Sequence, residues 1–331
     1  YPTALTSHNV HNMRIITDAD KIVSHAVLKP LIIKTPHVIL KIGAIGSVVT
    51  DETRRNQGLG RMVLNDVIEL ARSQQCDATI LWTNLFDFYR KIGFELAGTE
   101  VSLVIEKPLE NIPTDHNLRF SDNPRVAPEA IFRLYSTHTV NSVRTVEDTR
   151  KFMMIPNTRV FTAWESDGSL AAYAIEGKGA DLGGYVHEWG GGVSKLLPLL
   201  NWIHAKQNKP LTVICPAHAS NMIQQMRRAG AAYHEGYLGM IRILNFDQLA
   251  AKIKRAFRAE GVADVVLERQ NGSVLFGFGS ELFTIQSESD ATRMIFGPVT
   301  TSDLNFLSEN ARQKFSKILP LRLWIWGWDS V

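Results

Sequence analysis

Between Ser47 and Leu64 the chain reads SVVTDETRRNQGLGRMVL. An apolar run leads into a polar loop with Arg54, Arg55 and Arg61, and Gly58-Leu59-Gly60 opens an apolar-periodic stretch. Glycines at a helix start let backbone N–H groups come close to an anion, and nearby guanidinium groups add charge-assisted donors. The chemistry that suits this pattern is the holding of phosphate oxygens. Taken alone, an ordinary glycine turn with solvated arginines is the plain alternative. Downstream lies a second candidate, Tyr89 in Phe88-Tyr89-Arg90-Lys91-Ile92-Gly93-Phe94. A phenol is a neutral donor at pH 7 and can give a proton to a developing negative charge. Packing beside Phe86 and Phe88 is its bland alternative.

The elements that must position these residues follow from periodicity. Lys21–Pro30 and His37–Thr50 read as β-branched strands separated by a turn around Thr35-Pro36. Met62, Val63, Val67, Ile68 and Ala71 fall at helical spacing, predicting an amphipathic helix to about Ser73. Asp77–Thr83 is expected as a buried strand, Phe86–Ile92 as a short helix ended by Gly93, and Phe94–Glu106 as a strand. A linker is expected over Lys107-Pro108 and Asn111–Asn117.

A second series follows: helices at Pro128–His138 and Thr145–Met154, then a hairpin Arg159–Tyr173 across Asp167-Gly168. A strand at Gly183–Trp189, a helix at Val193–Gln207 and a strand at Pro210–Cys215 come next. A helix at Ser220–Ala229 and a strand at Tyr237–Leu244 complete the series. The stretch starting at Arg61 aligns without gaps on the stretch starting at Ser194, which predicts duplicated architecture. The remainder predicts a basic helix at Gln248–Glu260, a hairpin Asp264–Gln286 turning at Asn271-Gly272, a helix at Ser302–Ile318 and a final strand Leu321–Trp328. On that strand Trp324, Trp326 and Trp328 would share one face.

Arg55 to Gly60 fits an R/Q-x-x-G-x-G/A pattern between a strand and a helix, and Phe88 to Phe94 fits (L/F)Y-x-x-x-GF. Here the chain resembles the GNAT superfamily of acyl-CoA-dependent N-acetyltransferases. The resemblance implies that Val48, Val49 and Thr50 offer main-chain groups to a pantetheine arm, as an added strand would. It implies that Arg55, Asn56, Gln57, Gly58, Leu59, Gly60 and Arg61 hold the pyrophosphate of acetyl-CoA (coenzyme A). Tyr89 would then be the general acid that protonates the departing thiolate. No base is visible, since Asp51, Glu52 and Glu95 read as solvated loop charges.

In the second series Glu188 falls at the place of Arg55 and Met226 at the place of Tyr89. A carboxylate repels phosphate and methionine gives no proton. The second module therefore reads as a GNAT-like fold without the chemistry. His187 and Glu188 are either pocket-lining groups or parts of a structural turn. An active module, a degenerate module and a small α+β domain resemble, in that order, the enhanced-intracellular-survival (Eis-like) acetyltransferases. That resemblance implies a sterol-carrier-like third domain and makes a terminal carboxylate at Val331 a candidate base. The expected fold is α/β with mixed α+β sheets: a module at 1–110 lacking N-terminal elements, a second at 111–245, and a third domain at 246–331.

Composition sets the remaining bounds. A chain of 331 residues with 45% apolar and 21% charged residues belongs to the folded globular class. A formal charge of +3 without a Lys/Arg run argues against nucleic acid as a partner. No apolar run reaches the ~20 residues of a membrane span. Two cysteines and scattered histidines disfavour a disulfide framework and a metal site, and point to a cytoplasmic location. The expected partner is a small-molecule or peptide amine acceptor, with a homo-oligomer implied by the family. The chain opens on Tyr1, not methionine, so upstream residues are expected to be removed or missing.

Overall fold

The computed structural model describes residues 3–113, 117–122 and 125–331. Tyr1 and residues 114–116 of the expected linker lie outside the described residues. In chain order the first elements are β1 (Met13–Asp18), β2 (Lys21–Lys34), β3 (Ile39–Thr50), α1 (Leu59–Ser73), β4 (Ala78–Leu81), α2 (Phe86–Arg90), β5 (Glu95–Ala97) and β6 (Glu100–Ile105). Then come β7 (Arg119–Ser121), α3 (Pro128–Tyr135), β8 (Asn141–Ser142), α4 (Val146–Met153), β9 (Arg159–Trp164), β10 (Leu170–Lys178), β11 (Asp181–Gly191), α5 (Val193–Gln207), β12 (Leu211–Pro216), α6 (Ser220–Arg228), β13 (Ala232–Gly236) and β14 (Gly239–Ile243). The last are α7 (Phe246–Ala259), β15 (Val265–Gln270), β16 (Ser273–Phe278), β17 (Glu281–Ile285), α8 (Glu288–Phe296) and α9 (Glu309–Ser316).

Contacts divide the chain into two compact units. One holds Thr3–Gly98, Tyr237–Trp324 and Val331; the other holds Thr99–Gly236 and Ile325–Ser330. In the first unit the sheet runs β1-β2-β3-β4-β14-β5, antiparallel except for the parallel pair β3–β4. Helix α1 lays Val63, Leu64, Val67, Ile68 and Ala71 on a core with Ala26, Leu28 and Ile45. Each of the valine, leucine and isoleucine side chains among them contributes about 1.5–3 kcal/mol when fully buried. Buried Asp77 accepts from the Lys41 N–H at 2.8 Å and from Lys252 Nζ at 2.6 Å, so α7 is tied to the strand pair beside α1. The same unit contains the antiparallel sheet β15-β16-β17: the turn at Asn271-Gly272 is the expected one, but Asp264–Gln286 is a three-stranded meander and not a single hairpin, since the chain reverses again before β17.

Three sequence expectations are corrected here. Phe94–Glu106 is not one strand: Gly98 turns with φ 71, β5 pairs with β14, and β6 pairs with β12 and β13. Apolar alternation marks a strand but carries no information about its neighbour. Ser302–Ile318 is not one helix, since a 3-10 turn at Thr301–Asp303 precedes α9, and Thr300 and Ser308 each cap a separate start. Leu321–Trp328 forms no strand. Its Leu323 N–H turns back onto the Leu321 carbonyl at 2.7 Å, and Trp326 and Trp328 are fixed by ring contacts in place of a ladder. Trp326 lies 4.2 Å from the His138 ring and Trp328 stacks 5.9 Å from Phe152.

The sheet of the second unit runs β13-β6-β12-β11-β10-β9-β7. Its β9–β10 hairpin is the one expected across Asp167-Gly168, and α5 spans the expected Val193–Gln207. A buried charge cluster lies beneath it. Arg144 donates to both Glu188 oxygens at 2.8 and 2.7 Å and to Asp329 Oδ2 at 3.0 and 2.7 Å. The guanidinium sits 3.9 Å over the Tyr135 ring, and Ser142 Oγ also donates to Asp329. Burial alone would lower the Arg144 pKa, but the two carboxylates outweigh it and hold it well above its ordinary value.

Removing this cation leaves two buried carboxylates unpaired. Arg144→Leu is expected to cost about 3–5 kcal/mol of unfolding free energy at neutral pH, read from urea denaturation. Burial pushes the Glu188 carboxyl up. Without Arg144 the folded state therefore holds protons that the unfolded state has lost, and the deficit shrinks as pH falls towards the ordinary carboxylate range. A deficit that does not change with pH would argue that the carboxylates find other partners.

Candidate functional site

Strands β3 and β4 are parallel neighbours, so their C-terminal ends meet the same sheet edge. The loop from β3 to α1 and the loop from β4 to α2 therefore leave the sheet at the same end, the usual place for a ligand in such a sheet. The pairing is short. Ile42, Gly43 and Ala44 face Ala78, Thr79 and Ile80, and there it stops, while β3 continues to Thr50. From Ile45 onward β3 has lost β4 as a partner, and main-chain groups on that edge are left to bond a guest strand or a ligand arm.

The far half of β3 is held from the other side. Gly46 pairs with Val27 and Val49 with His25, so a bulge lies between them at Ser47 and Val48, with Ser47 at φ 50. His25 Nδ1 lies 3.0 Å from the Ser47 carbonyl, and Ser24 Oγ is 3.0 Å from both the Val49 carbonyl and Thr50 Oγ1. Ser24, His25 and Gly46 thus shape the strand end. Sequence reading missed them because they act across β2–β3, and no local motif marks that register.

The loop itself is exposed from Asp51 to Gly58. Asp51 accepts from the Thr53 N–H at 2.8 Å and from its hydroxyl at 2.6 Å, which hold its carboxyl below the ordinary value. Asn56 at φ 63 and Gly58 at φ 80 turn the backbone through the left-handed region, and Gly58 serves as N-cap of α1 without a side-chain acceptor. The first N–H groups of α1, at Leu59, Gly60 and Arg61, have no intrahelical partner and point at whatever lies before the helix. A Cβ at Gly60 would lie 3.2 Å from Thr50 Oγ1, so the missing side chain lets strand end and helix start approach.

The cations differ. Arg54 is paired with Asp18, and Arg55 with Glu52 at 3.2 Å, whereas Arg61 forms no ion pair among the described residues. Gln57 is exposed on the same loop, and Val48 packs on the core while Val49 is exposed. Positive-φ turns, open N–H groups and an uncommitted guanidinium fit a pyrophosphate.

Tyr89 sits on α2 and is only 6% exposed. Its ring meets Phe88 at 5.0 Å and Phe94 at 5.9 Å, both edge-on, and burial raises its pKa above the ordinary 10.0. Its hydroxyl makes no hydrogen bond to a described residue. Packing and a proton-donor role are therefore compatible, since the ring fixes a phenol that protein groups do not use. The nearby acids are committed: Glu52 to Arg55, and Glu95 to Arg90 at 3.3 Å. Val331 lies against the bulged strand. A Cβ at Gly46 would come within 2.6 Å of the Val331 carbonyl carbon, so only glycine admits that contact.

The corresponding parts of the second unit are occupied by protein. Strand β11 pairs with β12 only through Tyr185 and Val186, and beyond them the Trp189 indole N–H donates to the Ile214 carbonyl at 3.0 Å. Glu188 is buried against Arg144, and His187 Nε2 lies 3.1 Å from the Gly177 carbonyl. Burial pushes the His187 pKa down to about 4. Met226 is fully buried. These groups serve as structure, the second of the two roles open to them in the sequence.

Residues 4–97 match the family model described as the acetyltransferase (GNAT) domain. No curated protein matches the chain. Among solved structures it is similar to a GCN5-related N-acetyltransferase from Anabaena variabilis, at 13% identity and TM-score 0.63, over 97% of this chain and 90% of that one. A conserved protein from Enterococcus faecalis, described as a probable N-acyltransferase, shares 13% identity and TM-score 0.61, over 95% and 86%. Eis1 from Mycobacterium abscessus shares 10% identity and TM-score 0.57, over 92% and 86%. Residues 4–97 thus match an acetyltransferase (GNAT) domain, and the mixed α/β fold of the chain is similar to the folds of these structures.

Proposed function

We propose that this protein is an acetyl-CoA-dependent N-acetyltransferase that acts on a primary amine in a ternary complex. The observation that carries the reading is the parting of β3 from β4 after Ala44 and Ile80, with the glycine loop following one strand and Tyr89 the other. GNAT domains use an acyl-CoA as co-substrate, and when bound it supplies a thioester carbonyl for attack by the amine. The α1 N–H groups, Arg55 and Arg61 hold the pyrophosphate. Main-chain groups of Val48 to Thr50 hold the pantetheine as a neighbouring strand would. Holding the donor next to the amine makes the attack effectively intramolecular. Tyr89 keeps a proton on its phenol oxygen for the departing sulfur. The amine proton leaves to water or to a terminal carboxylate at Val331.

Thiol release from acetyl-CoA over a diverse amine panel tests the reading. Calorimetric CoA binding with no release on any amine would favour a non-catalytic acyl-CoA sensor, and a faster rate with longer donors would move the acyl assignment. Arg55→Glu and Arg61→Gln are expected to weaken CoA binding by roughly tenfold or more, as loss of a charge-assisted hydrogen bond implies.

Tyr89→Phe preserves the ring packing and is expected to lower kcat by roughly a hundredfold while the CoA affinity stays within about twofold. Because burial raises the phenol pKa, the acid stays protonated through neutral pH, and the alkaline fall in kcat belongs above pH 10.0. That limb should vanish in Tyr89→Phe. An unchanged rate in the variant would remove Tyr89 from the chemistry. Gly46→Ala drives a methyl group into Val331 and should lower kcat about tenfold by misplacing it. A kcat equal to the parent's would exclude Val331 as the base.

A further inference from the structure

The second unit carries a cleft of about 770 Å³ between the outer face of α6 and strands β6 and β13. The helix buries Met222, Ile223 and Met226. It turns Ser220, Asn221, Gln224, Arg227 and Arg228 towards the cleft, the i, i+1, i+4, i+7, i+8 spacing of one helical face. Tyr233 of β13 forms part of the opposite wall, and Val101 of β6 adds an apolar floor.

No carboxylate lines this cleft. Neither arginine forms an ion pair among the described residues. Elsewhere on the same unit Arg150 pairs with Glu129 and Glu147. At α6 the guanidinium of Arg227 instead lies 4.7 Å over the Tyr233 ring. A cation over a ring face is oriented by the ring quadrupole, while the N–H donors on its rim remain unspent. Glu235, across from Val101 in the β6–β13 pair, accepts from the Tyr233 hydroxyl at 2.7 Å and so holds the ring, while burial pushes the carboxyl of Glu100, next to Val101, up to about 7.

We propose that the α6 cleft binds a small organic anion bearing phosphate or carboxylate groups. Arg227 and Arg228 meet the charge, since guanidinium forks match planar carboxylate and phosphate oxygens. The Asn221 and Gln224 amides and the Ser220 hydroxyl hydrogen-bond the neutral polar groups of the same molecule. The volume lies within the ~300–1,000 Å³ usual for small-molecule sites. This site is separate from the acetyl-transfer reading and stands without it.

Isothermal titration of the full chain with inorganic pyrophosphate in one arm and citrate in another, at ionic strength matched with KCl, tests the site. Saturable binding is expected in at least one arm, weakened roughly tenfold or more by Arg227→Gln/Arg228→Gln. Arg61→Gln, on the glycine loop, should leave this binding event in place. Binding of pyrophosphate alone assigns a phosphorylated ligand, and of citrate alone a polycarboxylate. Asn221→Asp, which sets a carboxylate into the cleft without touching either arginine, should also weaken the event. Lack of saturable binding in both arms overturns the proposal. So does binding that survives both Arg227→Gln/Arg228→Gln and Asn221→Asp.

Discussion

The structure of the site depends on one unfinished pairing. Two parallel strands share a ladder over three residues each and then separate, because β3 continues to Thr50 while β4 ends at Leu81. Backbone N–H and C=O groups that lose a partner must find another, so a strand edge left open beside a loop is a standing demand for hydrogen bonds. The bulge at Ser47, the His25 contact and the Ser24 bonds all bear on the far end of β3, where that demand arises. α1 packs on the same core through Val63, Leu64, Val67, Ile68 and Ala71, so its N-terminus is fixed by apolar burial and not by the anion it would face.

Charge is distributed along the same lines. Where a cation is structural, the chain surrounds it: Arg144 has two carboxylates and an aromatic face and is inaccessible to solvent ions. Such a pair contributes little net stability over apolar packing but is costly to break. Arg61 lies at the opposite extreme, at the start of α1 with no ion pair among the described residues. A cation left uncommitted beside open N–H groups costs nothing in water and gains on contact with a polyanion. The difference between the two arginines separates a packing role from a binding role more clearly than composition does.

Much of the first unit was legible because its signals are local. The α1 helix ends at Ser73 as the spacing of Val63, Val67 and Ala71 requires, and the Gly58 turn and the Asn271-Gly272 hairpin follow from backbone preference. What depended on distant partners was not legible. The break at Gly98 sends β5 and β6 to separate sheets, and the alternation of Phe94–Glu106 looks the same either way. The Trp324-Trp326-Trp328 stripe had strand periodicity, yet His138 and Trp189 meet the Trp326 ring and Phe152 meets that of Trp328. Ser24 and Gly46 bear on the site through register and close approach, neither of which leaves a motif.

The second unit shows what makes the same geometry inert. There too the parallel pair is short, with Tyr185 and Val186 on Thr212 and Val213, and there too the two strands part while each keeps its other neighbour. The gap is answered from within. The Trp189 indole spends its only donor on the Ile214 carbonyl, and its ring packs against His138 and Trp326. Burial holds His138 near pKa 4, so it stays neutral and adds no charge that an anion could use. A tryptophan is large enough to fill the width of an absent ligand arm and carries one donor where the strand needs one. Whether a parallel pair that parts early is bridged by a side chain is thus a property of sequence as much as of fold. In the first unit β3 ends on Val49 and Thr50, and Ser24 of β2 meets the Val49 carbonyl and Thr50 Oγ1 at 3.0 Å.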